Sequence, residues 1–242
     1  MSNFLVIPLY TGLAAWGDIA VGEVRPSYDR PSKSAIMGLV AAALGIRRDE
    51  EERLLELAKG YDIAVVVESA GEPLRDFHTV QVPKTTSGRE RFLTRREELG
   101  DDLSSLNTIV TTRDYRCDAY YFVLLSPRSP TPPYPLTEIA ERLRQPTFVL
   151  YLGRKSCPIC HPLGSIIITA DSVSSAVRQA LTALRPPFFP PLKKGSRVRV
   201  YSERAPSPGE RVDQRISRRD DLSSRKRWQY SVRPEYLMNL EV

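Results

Sequence analysis

YDIAVVVESAGEPLRDFHTVQV, residues 61–82, is the stretch on which the fold turns. Residues 61–69 form a mostly apolar, β-branched run of the length a buried strand needs, and residues 74–82 form a second run with polar residues interleaved. Between them Gly71, Glu72 and Pro73 supply turn chemistry, so the two runs are expected as neighbouring strands around a short turn.

Upstream, FLVIPLY at 4–10 suits another buried strand, and a long loop follows it. RPSKSAIMGLVAAALGI at 30–46 then reads as a helix: Ser32 can accept a hydrogen bond from an unpaired first-turn N–H, Ala and Leu propagate the turn, and Gly45 can stop it. DEEERLLELAKG at 49–60 is a second, amphipathic helix, with acids at its start and Lys59 at its end as the helix dipole prefers. Downstream, RDYRCDAYYFVLL at 113–125 is a long strand, YPLTEIAERLRQ at 134–145 an amphipathic helix and TFVLYLG at 147–153 a further strand. Strand, helix, strand, strand, helix, strand is the order of a ferredoxin-like (RRM-like) α+β body.

Residues 83–112, PKTTSGRERFLTRREELGDDLSSLNTIVTT, far exceed the usual hairpin loop of about 2–5 residues, and their charges alternate in sign. This excursion is expected to project from the body. The proline-rich RPPFFPPL at 185–192 marks a boundary, so the expected division is a body over 1–185, with the excursion at 83–111, and a small basic part over 186–242.

The chain has 41% hydrophobic residues, normal for a folded globular protein, and a net charge of +6. That charge is localised: residues 193–233 hold 13 basic and 5 acidic side chains, which leaves the remainder close to neutral. No run reaches the roughly 20 apolar residues of a membrane span, and the amino end lacks the basic start of a secretion signal. A cytoplasmic protein with reduced thiols and no membrane partner is expected. The Cys-x-x-Cys-His string at 157–161 suggests haem attachment, zinc or redox chemistry. Haem attachment requires export. Zinc would have to recruit Cys117 and His78 or His161 to reach four ligands, and Cys160 and His161 cannot readily face one ion. Pro158 and Pro162 favour a plain turn, so neither a metal nor a cofactor is expected. Trp16 is read as core.

AAWGDIAVGEVRPSYDRPSKSAIMGLVAAALGI at 14–46, LRDFHTV at 74–80 and YLGRKSCPICHPL at 151–163 resemble, in order and spacing, the CasD subunit family of the type I-E CRISPR Cascade complex, with a weaker echo in VYSE at 200–203. The family pattern keeps one cysteine followed by Pro, at Cys157, which makes Cys160 incidental. The resemblance implies an RNA-binding, non-catalytic subunit with a ferredoxin-like body, a β-hairpin thumb and a small β-rich carboxy-terminal part. Such subunits hold the 5′ handle of the CRISPR RNA, cap the backbone of CasC subunits and adjoin the large CasA subunit. Target DNA is a further partner open to the basic carboxy-terminal part.

On that footing Ser32, Lys33 and Ser34 offer hydroxyls, an ammonium and unpaired helix N–H groups to a phosphate, although the same residues also make a plain helix cap. Arg25 and Tyr28 offer a guanidinium fork and a stacking ring, or ordinary solvated loop chemistry. Arg154, Lys155 and Ser156 place two cations and a hydroxyl in a turn, with a structural ion pair as the plain alternative. In the thumb Arg89, Arg91, Arg95 and Arg96 surround Phe92 and Leu93, cations around an apolar wedge, while Glu90, Glu97 and Glu98 offer them local partners. The competing enzyme reading is a metal-independent endoribonuclease, whose acid and base would have to be His78 and His161. A free-standing RNA chaperone or DNA-binding regulator would account for the charge alone.

Overall fold

The computed structural model describes residues 1–84, 92–100, 104, 106–159, 161–184, 195–208 and 210–242. In chain order its elements are β1 (Ser2–Ala14), β2 (Trp16–Gly17), β3 (Val24–Arg25), β4 (Ser27–Tyr28), α1 (Lys33–Leu44), α2 (Glu51–Gly60), β5 (Tyr61–Ser69), β6 (Glu72–Pro83), α3 (Arg95–Leu99), β7 (Leu106–Pro127), α4 (Leu136–Arg144), β8 (Ile166–Ala170), α5 (Val173–Ala183), β9 (Arg197–Ser202), β10 (Gln214–Ser224) and β11 (Gln229–Glu241). The architecture is mixed α and β, built on one large, mainly antiparallel sheet with the path β10-β11-β9-β5-β7-β1-β8.

β7 is the spine. One of its edges carries β5 and then β6, and the other carries β1 and then β3. Residues 119–125, AYYFVLL, are all buried because both faces of this part of the sheet are covered. Helices α1, α2 and α4 pack on one face over Leu5, Ile7, Leu9, Tyr121 and Val123. Helix α5 packs on the other over Phe4, Val6, Val66, Phe122 and Leu124. Two-sided burial is why β5 and β7 read as continuous apolar runs without alternation.

Helix α1 begins and ends where its sequence directs. Ser32 Oγ accepts the Ala35 N–H at 3.2 Å, and Gly45, at φ +75°, turns its N–H back to the carbonyls of Ala41 and Ala42.

Two expectations about strands need correction. β5 and β6 do not pair with each other across the Gly71-Glu72-Pro73 turn; they follow one another along β7, with Ser69 opposite Tyr120 and Glu72 opposite Cys117. Gly71 permits this close crossing: its φ is +65°, and a Cβ there would lie 2.1 Å from the Cys117 carbonyl oxygen. The β6–β7 pair therefore forms a two-stranded ribbon from Glu72↔Cys117 out to Pro83↔Leu106. The second correction concerns 147–153, which is not a strand. Its backbone is spent elsewhere: Thr147 and Phe148 donate to Ala43 and Ala42 at the end of α1, and Leu152 accepts from Ala15. The strand that follows α4 into the sheet is β8, paired with β1 from Ser2↔Ala170 to Val6↔Ile166.

The basic carboxy-terminal strands continue the same sheet, because β9 pairs with β5 and β11 with β9. They are fastened to the start of α1 by a buried ion cluster. Arg30 donates to Glu235 at 2.5 Å, and Arg233 to Asp220 at 2.6 Å and Glu235 at 3.1 Å. Lys33 Nζ meets Glu203 at 2.8 Å and Asp221 at 3.0 Å, while the Lys33 N–H donates to Asp220. Burial works against the Asp220 carboxylate, but the Arg233 hydrogen bonds and charge outweigh it and hold its pKa below the usual value.

Removing one anion should be costly, because the cations around it stay buried. Glu235→Ala, which leaves Arg30 and Arg233 short of a partner, should destabilise the chain by about 3–5 kcal/mol and lower its melting temperature by roughly 10 °C. Thermal denaturation followed by circular dichroism checks this; an unchanged melting temperature would show that the cluster does not fasten the strands.

Candidate nucleic-acid interface

Two groups of residues expected to meet RNA lie far apart in sequence and together in space. The turn at 151–158 is closed by hydrogen bonds from Leu152 N–H to Cys157 O and from Cys157 N–H to Arg154 O. It sits against β1 through the Ala15 N–H, which donates to Leu152 O. Gly153, at φ +90°, is the point of closest approach: a Cβ there would lie 1.7 Å from the Ala15 carbonyl oxygen.

From this turn the Arg154 guanidinium reaches across to β7 and β3. It donates to Asp114 O at 3.1 Å and Arg25 O at 3.0 Å, and lies 4.7 Å over the Tyr115 ring. A hydrogen bond from Ser156, with Arg154 beside it, holds the Tyr115 phenol below its usual pKa. Arg154 is thus half-buried and partly spent on tying the turn to β3, whereas Lys155 and Ser156 are exposed. Arg25 is exposed too; its guanidinium touches only the carbonyls of Gly22 and Val24 among the described residues.

Sequence reading missed the arginines around this patch. In register with Arg25 stands Arg113 on β7, and Arg75 on β6 pairs with Asp114 at 2.8 Å, holding that carboxyl below its usual pKa. Their only trace is the Arg-Asp dipeptide in both LRDFHTV and RDYRC, and no pattern in either string says that Arg75 and Asp114 face each other.

The start of α1 is more closed than expected. Ser32 caps the helix and lies 3.0 Å from Ser34 Oγ, and both hydroxyls are partly exposed. The Lys33 side chain is 1% exposed and held by Glu203 and Asp221, so its ammonium is turned inward, away from any phosphate at the surface. The Tyr28 ring is covered on one face by the Arg218 guanidinium at 4.6 Å. Burial and a hydrogen bond to Asp18 raise its pKa.

In the excursion, Arg89 and Arg91 lie outside the described residues. Phe92 is 39% and Leu93 92% exposed. Arg95 pairs with Glu98 and also donates to the Gln81 carbonyl, while Arg96, in α3, is exposed. On the ribbon His78 Nε2 lies 3.0 Å from Asp76, and Thr111 is its partner across the strands.

Cys157 is fully buried, and burial raises its thiol pKa, the opposite of what a metal ligand or redox thiolate needs. Cys160 lies outside the described residues. Among the described residues no group of three or more His, Cys, Asp or Glu side chains is arranged to hold a metal. Trp16 is core, 3% exposed and edge-on to Tyr121. Among the described residues no helix is long and apolar enough to cross a membrane.

A cation-lined surface thus forms at the junction of β3, β7 and the 151–158 turn. The profile described as "CRISPR-associated protein (Cas_Cas5)" matches residues 4–234, nearly the whole chain. The chain belongs to this CRISPR-associated family. It is 33% identical over 171 residues to the CRISPR system Cascade subunit CasD of Escherichia coli (strain K12), a match that covers 67% of this chain and 70% of that protein. Among solved structures, a chain of a CRISPR RNA-guided surveillance complex superposes with a TM-score of 0.66 at 26% identity, covering all of this chain and 91% of that one. A second, titled "Crystal structure of Cas protein", shares the fold with a TM-score of 0.59 at 21% identity, covering 98% and 95% of the two chains. The resemblance read from the strings at 14–46, 74–80 and 151–163 is thus a family relationship that runs along the chain.

Gly153 is the most sensitive point of the interface. Gly153→Ala should force the 151–158 turn off Ala15 at a cost on the order of 1–3 kcal/mol. The melting temperature should fall by several degrees, which melting curves followed by circular dichroism check.

Proposed function

We propose that this chain is a non-catalytic, CRISPR RNA-binding subunit of a type I-E Cascade complex. It holds the 5′ handle of the CRISPR RNA, caps the CasC backbone and adjoins the large CasA subunit. The observation that carries the reading is the meeting of Arg25 with the Arg154–Ser156 turn, 129 residues away, within a chain related to CasD. A guanidinium fork, an ammonium and a hydroxyl displayed together by β3 and the adjoining turn suit phosphodiester contact.

The body is proposed to be ferredoxin-like: β1, β5, β7 and β8 are its four strands in chain order, lying side by side as second, third, first and fourth, with α1 and α4 as its helices. The proposed thumb is the β6–β7 ribbon with the segment beyond it, bringing Phe92, Leu93 and Arg96 towards RNA and the nearest CasC subunit. Arg95 contributes mainly to the thumb's own shape. Ser32 and Ser34 are proposed as hydroxyl contacts at the start of α1, and Lys33 as the anchor behind them. Target DNA is left to cations of the carboxy-terminal strands that lack an internal partner. A cytoplasmic complex is the setting proposed.

The endoribonuclease reading has less support, because the relatives are described as parts of a complex, not as nucleases. Incubating the chain with repeat RNA in EDTA decides it: site-specific cleavage lost in His78→Ala would replace the binding reading.

Arg25→Ala combined with Lys155→Ala removes two exposed cations and opens no cavity, so the melting temperature should hold. RNA affinity should fall about 10-fold, with the slope of log K against log salt shallower by about 1.4, two phosphates' worth on a single strand. Unchanged affinity and slope would remove this patch from the RNA site. Replacing residues 84–105 by Asn-Gly closes the ribbon across the Pro83↔Leu106 pair through a two-residue turn. The shortened chain should melt normally and fail to join CasC and CRISPR RNA in co-purification. Normal assembly would show that the excursion has another role.

A further inference from the structure

A groove of about 760 Å³ runs along the outer side of α1, and the interface above accounts for only one of its ends. At that end it is lined by Ser32, Ser34, Tyr151 and Gly153; at the other by Arg47, Arg48, Arg225, Trp228 and Tyr230. The rest of its lining is mostly apolar, with Gly38, Ala41 and Ala42 beside larger side chains such as Met37, Leu57 and Phe148.

The far end is built by the β10–β11 turn. Glu51, at the start of α2, holds that turn in place, accepting from Ser224 Oγ at 2.6 Å and from the Arg225 N–H at 2.9 Å. Trp228 is 63% exposed, an unusual state for the largest aromatic side chain. It also has φ +52°, a left-handed conformation that costs a bulky residue energy and is retained where a side chain must be aimed. The Arg225 guanidinium lies 3.9 Å over the ring and bonds Tyr230 Oη at 3.2 Å, leaving the opposite ring face free of any aromatic or cationic neighbour among the described residues.

Cations outnumber acids in the lining of the groove, with Lys33, Arg47, Arg48 and Arg225 against Asp220. Arg48 and Arg227 are exposed with no salt-bridge partner among the described residues, and Arg47 is exposed with Glu50 beside it. Of the acids nearby, Glu50 is engaged with Arg53 and the Arg47 N–H, Glu51 with the turn and Asp220 with Arg233, while Asp49 and Glu52 are exposed. An exposed, propped aromatic ring among unpaired guanidiniums is the chemistry of a single-strand site: the ring takes an unpaired base and the guanidiniums take phosphates.

We propose that this groove is a track for single-stranded RNA, continuing from the start of α1 to the β10–β11 turn and ending with an unpaired base stacked on Trp228. The inference rests on the RNA-binding reading of Ser32, Ser34 and the 151–158 turn, and it adds a second, separate contact point. A duplex has no free base for the ring, so single strands are preferred.

The two tryptophans make a direct test, since Trp16 is 3% exposed and only Trp228 can report a ligand. The full chain is titrated with a single-stranded RNA of about 12 nucleotides, within the usual site size of such modules. The same RNA annealed to its complement and the DNA of the same sequence serve as parallel arms, with tryptophan emission and anisotropy of labelled strand as readouts. Saturable quenching by single-stranded RNA is expected. Trp228→Ala should weaken binding roughly 5- to 100-fold, as loss of one stacked base does. Trp228→Phe should abolish the quenching and keep most of the affinity. Arg47→Ala combined with Arg48→Ala should flatten the salt slope by about 1.4.

Parental affinity in Trp228→Ala, equal quenching by the duplex, binding of DNA alone, or no response to RNA, as expected if an acidic protein segment is the true occupant, each overturns the proposal. Loss in Arg25→Ala/Lys155→Ala with no loss in Trp228→Ala removes the groove and leaves the first interface standing. The reverse pattern keeps the groove and removes that interface.

Discussion

Asp220 and Glu235 lie buried among Arg30, Lys33, Arg218 and Arg233, and the placement of most other groups depends on that knot of charge. It joins three pieces of chain, the loop before α1, the strand β10 and the strand β11, that share no hydrophobic periodicity. Buried ions are expensive to desolvate, so such a cluster adds little stability over an apolar plug. Its geometric consequence is larger. With Asp220 bonded to the Lys33 N–H and Glu203 to Lys33 Nζ, the start of α1 can take only one orientation towards the carboxy-terminal strands, and this sets one end of the groove against the other.

The same knot explains where the local charge excess goes. A run with 13 cations looks like a binding tail in the sequence. In the fold Arg218 and Arg233 are buried counter-ions, Arg199 pairs with Asp29, and Arg204 with Asp62. Among the described residues, what remains outward is spread over Arg197, Arg211, Arg215 and Arg219 and over the β10–β11 turn, where Lys226 and Arg227 flank Trp228 beside the half-buried Arg225. Net charge is therefore a poor guide to which cations are available, because burial beside a carboxylate removes a cation from the surface without changing the count.

β7 organises the other half of the molecule. Its buried half is held between β1 and β5, and its outer half leaves the core with only β6 and the short β3 for company. The transition falls at Gly71 and Asp118, both with positive φ, where the chain departs from regular pairing. The outer ribbon exposes Phe77, Val80 and Val110, apolar side chains that the isolated chain leaves in water. A ribbon of this kind is costly alone and sensible in an assembly, in keeping with relatives described as parts of a larger complex.

The helices, the long strands and the patch-forming strings were legible in the sequence because each rests on local physics. Ser32 and Gly45 bound α1 by capping, the β-branched run at 61–69 has no helical period, and Gly153 and Pro158 mark a turn. What could not be read locally is where backbone hydrogen bonds and charges find partners. TFVLYLG has every local mark of a strand, yet the N–H groups of Thr147 and Phe148 go to the end of α1, those of Leu152 and Gly153 stay within their own turn, and the sheet takes Ile166–Ala170 instead. Lys33 carries the look of a phosphate ligand, yet Glu203 and Asp221, some 170 or more residues on, turn its ammonium inward. The groove and its exposed Trp228 exist only once α1, α2 and the β10–β11 turn are brought together. Local sequence sets the conformation of a segment through caps, propensities and turn residues; only the closed tertiary structure decides which of its polar groups remain unpaired, and those are the groups left to bind.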